Sequence, residues 1–298
     1  MTELALLRMG FCVLFVSVNN SPAAVAHLLA KVEASVFVVA PRYAELGQEA
    51  LVALKQQDGG SALTLVPTAP ESVYDSAARR DAFEAGIKWP YPLAQEDEVD
   101  LGAFIVHSSG STSWPKPIEM THRRALANYL TSFNLEGFTT LPLYHNFGHS
   151  CLWRAIVSVK ALYVFPASTM PLTITNVFGL LSQPVCAGVR AVFAVPFIFK
   201  IMSEDDEGIA LLRRYELCLY GGSVMPDEVG NRLVENGVKL VGHIGSTGAL
   251  RILALQRDNV ADLERLIFGR DGPADDLIPR LRDGQGVVLL PDERPARR

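Results

Sequence analysis

His107-Ser-Ser-Gly-Ser-Thr-Ser-Trp-Pro-Lys-Pro-Ile-Glu-Met-Thr-His122 is the stretch on which the fold and chemistry of the chain turn. Residues 101–106 before it form a short apolar run bounded by polar turn formers, which predicts a buried strand. After it, Leu126, Tyr129, Leu130 and Phe133 fall near helical spacing, which predicts a helix over 123–133 with those side chains on one face. The expected layout is strand, hydroxyl-rich loop, helix. The loop offers Ser108, Ser109, Ser111 and Thr112, a bare backbone position at Gly110 and a cation at Lys116. Such a loop can turn N–H groups and hydroxyls toward one anion, with the ammonium offsetting phosphate charge. Phosphate binding is the direct chemical consequence, while turn composition alone also suits a solvated linker. The common P-loop is excluded: it requires glycine immediately before its lysine and Ser or Thr after it, and here Pro115 and Pro117 flank Lys116.

The ordered string of residues 108–112, Pro115, Lys116, Thr121 and His122 resembles the nucleotide loop of the adenylate-forming (AMP-binding) superfamily, which includes acyl-CoA ligases and peptide-synthetase adenylation domains. Ser113 stands where that family usually has glycine. Leu141-Pro-Leu-Tyr-His-Asn-Phe-Gly148 is similar to the family segment that lines the acyl pocket, which implies that His145 approaches the reacting carboxylate. Residues 191–196 resemble the strand ending in Val-Pro beside that pocket. Leu217-Cys-Leu-Tyr-Gly-Gly-Ser-Val-Met-Pro226 reads as an apolar strand opening onto two glycines, ahead of a helix with Asp227 and Glu228 in its first turn. Bare backbone at Gly221 and Gly222 lets a flat ligand lie close. In the family this element borders adenine and acid, which implies that role for Gly221, Gly222 and Ser223.

Toward the amino end, an expected strand over 11–18, the turn Asn19-Asn-Ser-Pro22, a helix to about Lys31 and a strand over 34–40 predict one β-α-β unit with parallel pairing. Its Asn-Ser-Pro and Ala-His-Leu-Leu resemble fungal synthetase-like adenylating enzymes. The resemblance covers residues 10–255 and implies an α/β fold: a fragment of the large amino-terminal domain of adenylate-forming enzymes, mainly parallel sheets flanked by helices, truncated at both ends and without the small carboxy-terminal domain. The implied division is a partial adenylation domain over 1–255 and a divergent segment over 256–298.

The pattern departs at Gly242-His-Ile-Gly-Ser-Thr-Gly-Ala-Leu250. The family places an aromatic residue before Gly-x-Thr-Glu, with the ring on adenine and the glutamate helping to hold magnesium. Here Ile244 takes the aromatic position and Gly248 follows Thr247, as if the acid were deleted. The resemblance implies nucleotide contacts by Gly245, Ser246 and Thr247, with Thr247 at the α-phosphate. It also implies ATP or AMP and Mg2+ as cofactors, the metal weakened because a hard cation wants oxygen ligands. After residue 255 no second catalytic lysine motif is recognisable, and Lys116 belongs to the phosphate loop. The implied reaction joins an acid and ATP into acyl-AMP and pyrophosphate in secondary metabolism. Lys116, Thr247 and His145 would be catalytic, with a small carboxylic acid as substrate and a carrier protein or larger synthetase as partner. An inactive remnant acting as a binding or accessory protein is the alternative, and an ordinary α/β domain whose loop binds no nucleotide is a third.

Composition sets the outer bounds. With 298 residues, 49% hydrophobic and 20% charged, the chain can bury a sizeable core. A net charge of −5 without a basic cluster argues against a nucleic-acid partner. Cys12, Cys151, Cys186 and Cys218 are widely spaced in apolar contexts, which predicts reduced core residues. His145, His149 and Cys151 are metal-ligand types, but no second ligand cluster of suitable spacing accompanies them. The apolar stretch 183–202 is interrupted by Arg190, Pro196 and Lys200, so no membrane span and a cytoplasmic protein are expected. Further helices are expected over 41–53, 153–162 and 173–181, and strands over 62–66, 163–165 and 286–290. The polar connection 68–100, with acids over 96–100, is expected to be solvated.

Overall fold

The computed structural model describes residues 2–58, 63–70, 95–108, 114–130, 132–167, 170–244 and 253–256. The chain divides into two compact units, Met1–Ala125 and Leu126–Arg298.

The first unit runs α1 (Thr2–Arg8), β1 (Val13–Leu14), α2 (Pro22–Lys31), β2 (Val36–Val39), a 3-10 turn (Pro41–Tyr43), α3 (Ala44–Asp58), β3 (Thr64–Pro67), α4 (Gln95–Glu98), β4 (Gly102–His107) and β5 (Pro117–Thr121), and ends inside α5 (His122–Tyr129). Helix α2 starts as its sequence dictates. The Ser21 hydroxyl accepts from the Ala24 N–H, and Pro22 sits in the first turn, where a missing N–H costs nothing. Its Val25, Ala26 and Leu29 pack with Ala50 and Leu54 of α3.

The pairing of strands differs from the expected β-α-β unit. β1 pairs in parallel with β4, Val13 opposite Phe104, whereas β2 pairs in parallel with β3, Val36 opposite Thr64. The reason is non-local: the buried run of Ala103, Phe104, Ile105 and Val106 supplies an apolar neighbour for β1 that chain order cannot name. A second correction concerns the layout around the hydroxyl-rich loop, which is strand, loop, strand, helix. Residues 117–121 form β5, antiparallel to β4, with His107 opposite Pro117 and Gly102 opposite Thr121. Pro117 is tolerated as the first residue of its strand. The helix behind it is therefore shorter than the expected 123–133. Ala125 and Tyr129 are buried, and Leu126 and Leu130 are exposed.

The second unit runs β6 (Gly137–Thr139), α6 (Asn146–Ser158), β7 (Leu162–Val164), α7 (Ile174–Leu181), β8 (Ala191–Ala194), α8 (Pro196–Ser203), α9 (Asp206–Leu212), β9 (Leu217–Gly221), α10 (Asp227–Glu235), β10 (Leu240–Ile244) and β11 (Leu253–Gln256). The strands form one sheet in the order β11-β10-β9-β8-β6-β7, with every pairing parallel except β10 with β11. Alternate side chains divide between two cores. Val192, Ala194, Cys218 and Leu240 join Ile198, Phe199 and Met202 of α8 on one side. Ala191, Phe193, Leu217, Leu219 and Val241 join Leu141 and Cys151 on the other. Helices covering both faces explain why these strands are apolar throughout instead of alternating. The class is α/β with mainly parallel sheets flanked by helices. α6 begins at Asn146, ahead of the expected start at 153. β6 was not anticipated: its few residues are held by pairing on both sides, and Thr139 Oγ1 donates to the Phe193 carbonyl. All cysteines are free; Cys151, Cys186 and Cys218 are buried, but Cys12 is exposed, contrary to the expected core placement. Among the described residues no helix is long and apolar enough to cross a membrane. The expected strand over 286–290 lies outside the described residues.

Candidate functional site

The parallel sheet reverses its order at β6. The chain leaves β6 to form β7 on one side and returns to form β8 on the other. In open parallel sheets, loops leaving the carboxyl ends of strands flanking such a reversal form the ligand crevice. The register identifies that edge: Thr139 lies opposite Phe193, Ala194 opposite Tyr220, and Gly221 opposite His243. Residues 140–145, Val195 and residues 221–223 therefore leave one edge together. Of the residues expected from sequence, His145, Gly221, Gly222 and Ser223 are brought to this edge.

Each has a local reason for its position. His145 caps α6 with extended backbone (φ −95°, ψ 144°), and its carbonyl accepts the His149 N–H at 2.9 Å. Its ring lies 4.8 Å from that of Tyr144. Gly221 is glycine for want of room: a Cβ there would fall 2.8 Å from the His243 carbonyl oxygen and 3.0 Å from Phe147 Cε1. Gly222 is glycine for its backbone, since φ is +88° and the space around it is open. It is exposed, as is Ser223, so the turn presents bare backbone and a hydroxyl outward. Three buried polar atoms at this edge, Thr140 Oγ1, Asn146 Oδ1 and His243 Nε2, have no hydrogen-bond partner among the described residues. Buried polar atoms are ordinarily satisfied, so these are available to water or a polar ligand.

His243 carries no signal of its own in the sequence, lying beside Ile244 in the stretch where the family motif departs. Its ring lies tilted against that of Phe147, with centroids 4.8 Å apart. Burial, and secondarily the positive charge of Arg154, hold its pKa down to about 4 from an ordinary 6.5. Protonation thus favours the unfolded chain, and stability falls as pH drops below the unfolded value. At 1.36 kcal/mol per unit, the wild type should lose about 2 kcal/mol between pH 7 and pH 5 through this residue alone. Urea midpoints of the wild type and His243→Gln at both pH values check this; an equal pH slope in the two proteins would refute it.

The first unit holds the base of the hydroxyl-rich loop. The Ser108 N–H donates to the Lys116 carbonyl and the Lys116 N–H donates to Ser108 Oγ, both at 3.1 Å, so Ser108 and Lys116 clasp each other. Ser108 Oγ keeps its own proton to donate elsewhere. His107, which the sequence reading passed over, fixes this base. The Ser17 N–H can only donate and the Ser108 carbonyl can only accept, so Nε2 of His107 accepts from Ser17 at 3.1 Å and Nδ1 donates to Ser108 at 3.0 Å. The neutral ring therefore carries its proton on Nδ1. Asn20 Nδ2 also approaches Nε2, at 3.4 Å. Trp114 stacks on His27 of α2, with ring centroids 5.3 Å apart, tying the loop to the Ala-His-Leu-Leu segment. Lys116 itself is exposed. Ser109, Gly110, Ser111, Thr112, Gly245, Ser246 and Thr247 lie outside the described residues.

His149 is occupied inside the second unit. Trp153 Nε1 donates to its Nε2 at 3.0 Å, and its Nδ1 lies 3.0 Å from the Tyr129 hydroxyl. Both ring nitrogens are thus committed to packing partners, which leaves neither for a metal. Among the described residues no group of three His, Cys, Asp or Glu side chains is placed to hold a metal ion.

A mainly parallel sheet of this order, with a glycine turn at its carboxyl edge, defines the class as an α/β domain. The sequence profile of AMP-binding enzymes matches residues 1–273, and the chain belongs to that family. It is 28% identical to the adenylate-forming reductase stbB of Stachybotrys bisbyi over 86% of this chain and 24% of that protein. It is 29% identical to the non-canonical non-ribosomal peptide synthetase ascB of Acremonium egyptiacum over 86% of this chain and 23% of that protein. The chain thus spans about a quarter of the length of these curated relatives. Among solved structures, a benzoate CoA ligase from Burkholderia xenovorans LB400 superimposes with a TM-score of 0.63 at 17% identity, over 87% of this chain and 56% of that one. Mycobacterium smegmatis MbtA superimposes with a TM-score of 0.64 at 20% identity, over 90% of this chain and 48% of that one. These structures share the fold.

Proposed function

We propose that the chain is a carboxylic-acid-activating adenylation domain: an acid's carboxylate oxygen attacks the α-phosphorus of ATP, forming acyl-AMP and releasing pyrophosphate. The observation that carries this reading is the clasp between Ser108 and Lys116, which joins the two ends of the hydroxyl-rich segment and leaves the Lys116 side chain exposed, in a chain of the AMP-binding family. Lys116 and residues 108–112 would hold the β- and γ-phosphates. Gly221, Gly222 and Ser223 would border adenine and acid, His145 would approach the carboxylate, and residues 245–247 would contact the nucleotide, with Thr247 at the α-phosphate. Catalysis of this kind is alignment and charge stabilisation, so positioned donors matter more than a strong base. The relatives support an origin in synthetase-like or reductase-like assemblies, in which a carrier protein or larger synthetase would receive the acyl group.

The residues do not offer magnesium the carboxylate that the family uses after Thr247, where this chain has Gly248. This departure favours a second reading: a remnant that binds nucleotide or acid without turnover. Calorimetry of ATP binding with and without magnesium, followed by pyrophosphate release with a panel of carboxylic acids, separates the readings. Binding with release supports adenylation, and binding without release supports the remnant. Absence of binding removes both. If the missing acid is the defect, inserting Glu between Thr247 and Gly248 should raise magnesium-dependent release by about tenfold or more, the effect of restoring one well-placed charged ligand worth about 1.4 kcal/mol or more.

A further inference from the structure

We propose that His107 is the positioning residue of the hydroxyl-rich segment: by drawing the Ser108 carbonyl out of the β4–β5 ladder, it fixes where the chain leaves the sheet and where the Lys116 backbone stands. The end of that ladder departs from regular pairing in one bond. β4 and β5 pair antiparallel as far as His107 opposite Pro117, which puts Ser108 opposite Lys116 at the next position. Pro117 has no N–H, so its pair is a non-bonded one, and by alternation the Ser108–Lys116 pair should exchange two backbone bonds. One is made, from the Ser108 N–H to the Lys116 carbonyl at 3.1 Å. In place of the other, the Lys116 N–H goes to Ser108 Oγ at 3.1 Å, and the Ser108 carbonyl accepts from His107 Nδ1 at 3.0 Å.

The ring can hold that carbonyl because its far end is pinned. His107 is 4% exposed, and its Nε2 accepts the N–H of Ser17, 90 residues away in the chain. Ser17 is itself buried, and its Oγ and carbonyl accept the Asn19 and Asn20 N–H groups in the turn ahead of α2. A neutral imidazole has one donor nitrogen, and an N–H facing Nε2 leaves that donor at Nδ1. The turn after β1 thus dictates the direction of the Ser108 carbonyl. With that carbonyl engaged, Ser108 offers its hydroxyl to Lys116, whose backbone is held on both sides while its side chain stays exposed. That this placement serves a phosphate rests on the adenylation reading; the hold of His107 on Ser108 does not.

Asn and Gln each reproduce one half of the ring. The Asn amide nitrogen can stand where Nδ1 stood and donate to the Ser108 carbonyl, and the Gln amide oxygen can stand where Nε2 stood and accept from Ser17. His107→Asn and His107→Gln each lose one hydrogen bond, so their Tm values should fall by similar amounts. ATP affinity, measured by calorimetry on the whole chain, should part them. His107→Gln should bind ATP about five- to tenfold more weakly than His107→Asn, the effect of one neutral hydrogen bond. Equal affinities, or weaker binding by His107→Asn, overturn the proposal. If the wild type binds no ATP, the adenylation reading falls, and two measurements without nucleotide decide the hold on Ser108. In crystals of His107→Gln, the Lys116 N–H should return to the Ser108 carbonyl; a carbonyl still turned away from the ladder overturns the proposal. In imidazole proton–nitrogen correlation spectra of the wild type, which need no variant to fold, the His107 proton should reside on Nδ1. A proton on Nε2 overturns the proposal.

Discussion

Lys116→Ala is expected to lower acid-dependent pyrophosphate release by about 30- to 150-fold, the effect of losing a charged hydrogen bond worth about 2 to 3 kcal/mol in the transition state. Lys116 joins the protein through its backbone, whose N–H and carbonyl clasp Ser108, while its side chain is exposed. Truncating the side chain leaves the clasp in place, so thermal stability should change by less than about 0.5 kcal/mol. The pairing of a large kinetic effect with an intact fold is what distinguishes a phosphate-holding cation from a structural one. Lys116→Arg should retain part of the activity, because charge is kept while the geometry changes from a point donor to a fork. Unchanged release by Lys116→Ala would remove the phosphate-loop assignment.

Gly148→Ala should destabilise the second unit by about 3 kcal/mol or more, lowering Tm by about 6 to 12 °C. A Cβ at Gly148 would lie 2.3 Å from the Pro142 carbonyl oxygen and 2.9 Å from its carbon. Neither atom can rotate away as a side chain could, since the His145 N–H also donates to that oxygen at 3.2 Å. Relief requires α6 to move off the 141–145 turn, which would also displace His145. Gly179→Ala is the matched control. It makes the same chemical change within α7, where a Cβ meets nothing within 4 Å, and it should stabilise by about 0.5 to 1 kcal/mol through helix propensity. Differential scanning calorimetry of the two variants checks both signs; equal Tm values would refute the backbone-clash account.

Much of the candidate site was legible because its chemistry is carried by short, ordered strings. Gly221-Gly222 reads as an opening for a ligand from its residue types alone, and the structure adds that the two glycines serve different ends, one for space and one for a positive φ. The glycine of the Leu141–Gly148 stretch likewise acquires a cause, the close Pro142 carbonyl. His107 and His243 were not legible. A single histidine beside a motif carries no periodicity, and what defines these two is a partner far along the chain: Ser17 for His107, and Gly221 with Phe147 for His243.

Sequence by itself determined the local events whose causes lie within a few residues. The Ser21 cap and Pro22 start of α2, the apolar strands β4, β8 and β9, and the turn of Gly221 and Gly222 all follow from side-chain size, hydrogen-bonding capacity and backbone freedom. Tertiary structure alone decided which strands pair. It joined β1 to β4 instead of β2, folded 117–121 back as β5, and set β6 between β7 and β8. Strand pairing satisfies backbone groups against whichever apolar edge is available, and that edge is supplied by residues distant in sequence, so no local pattern can specify it.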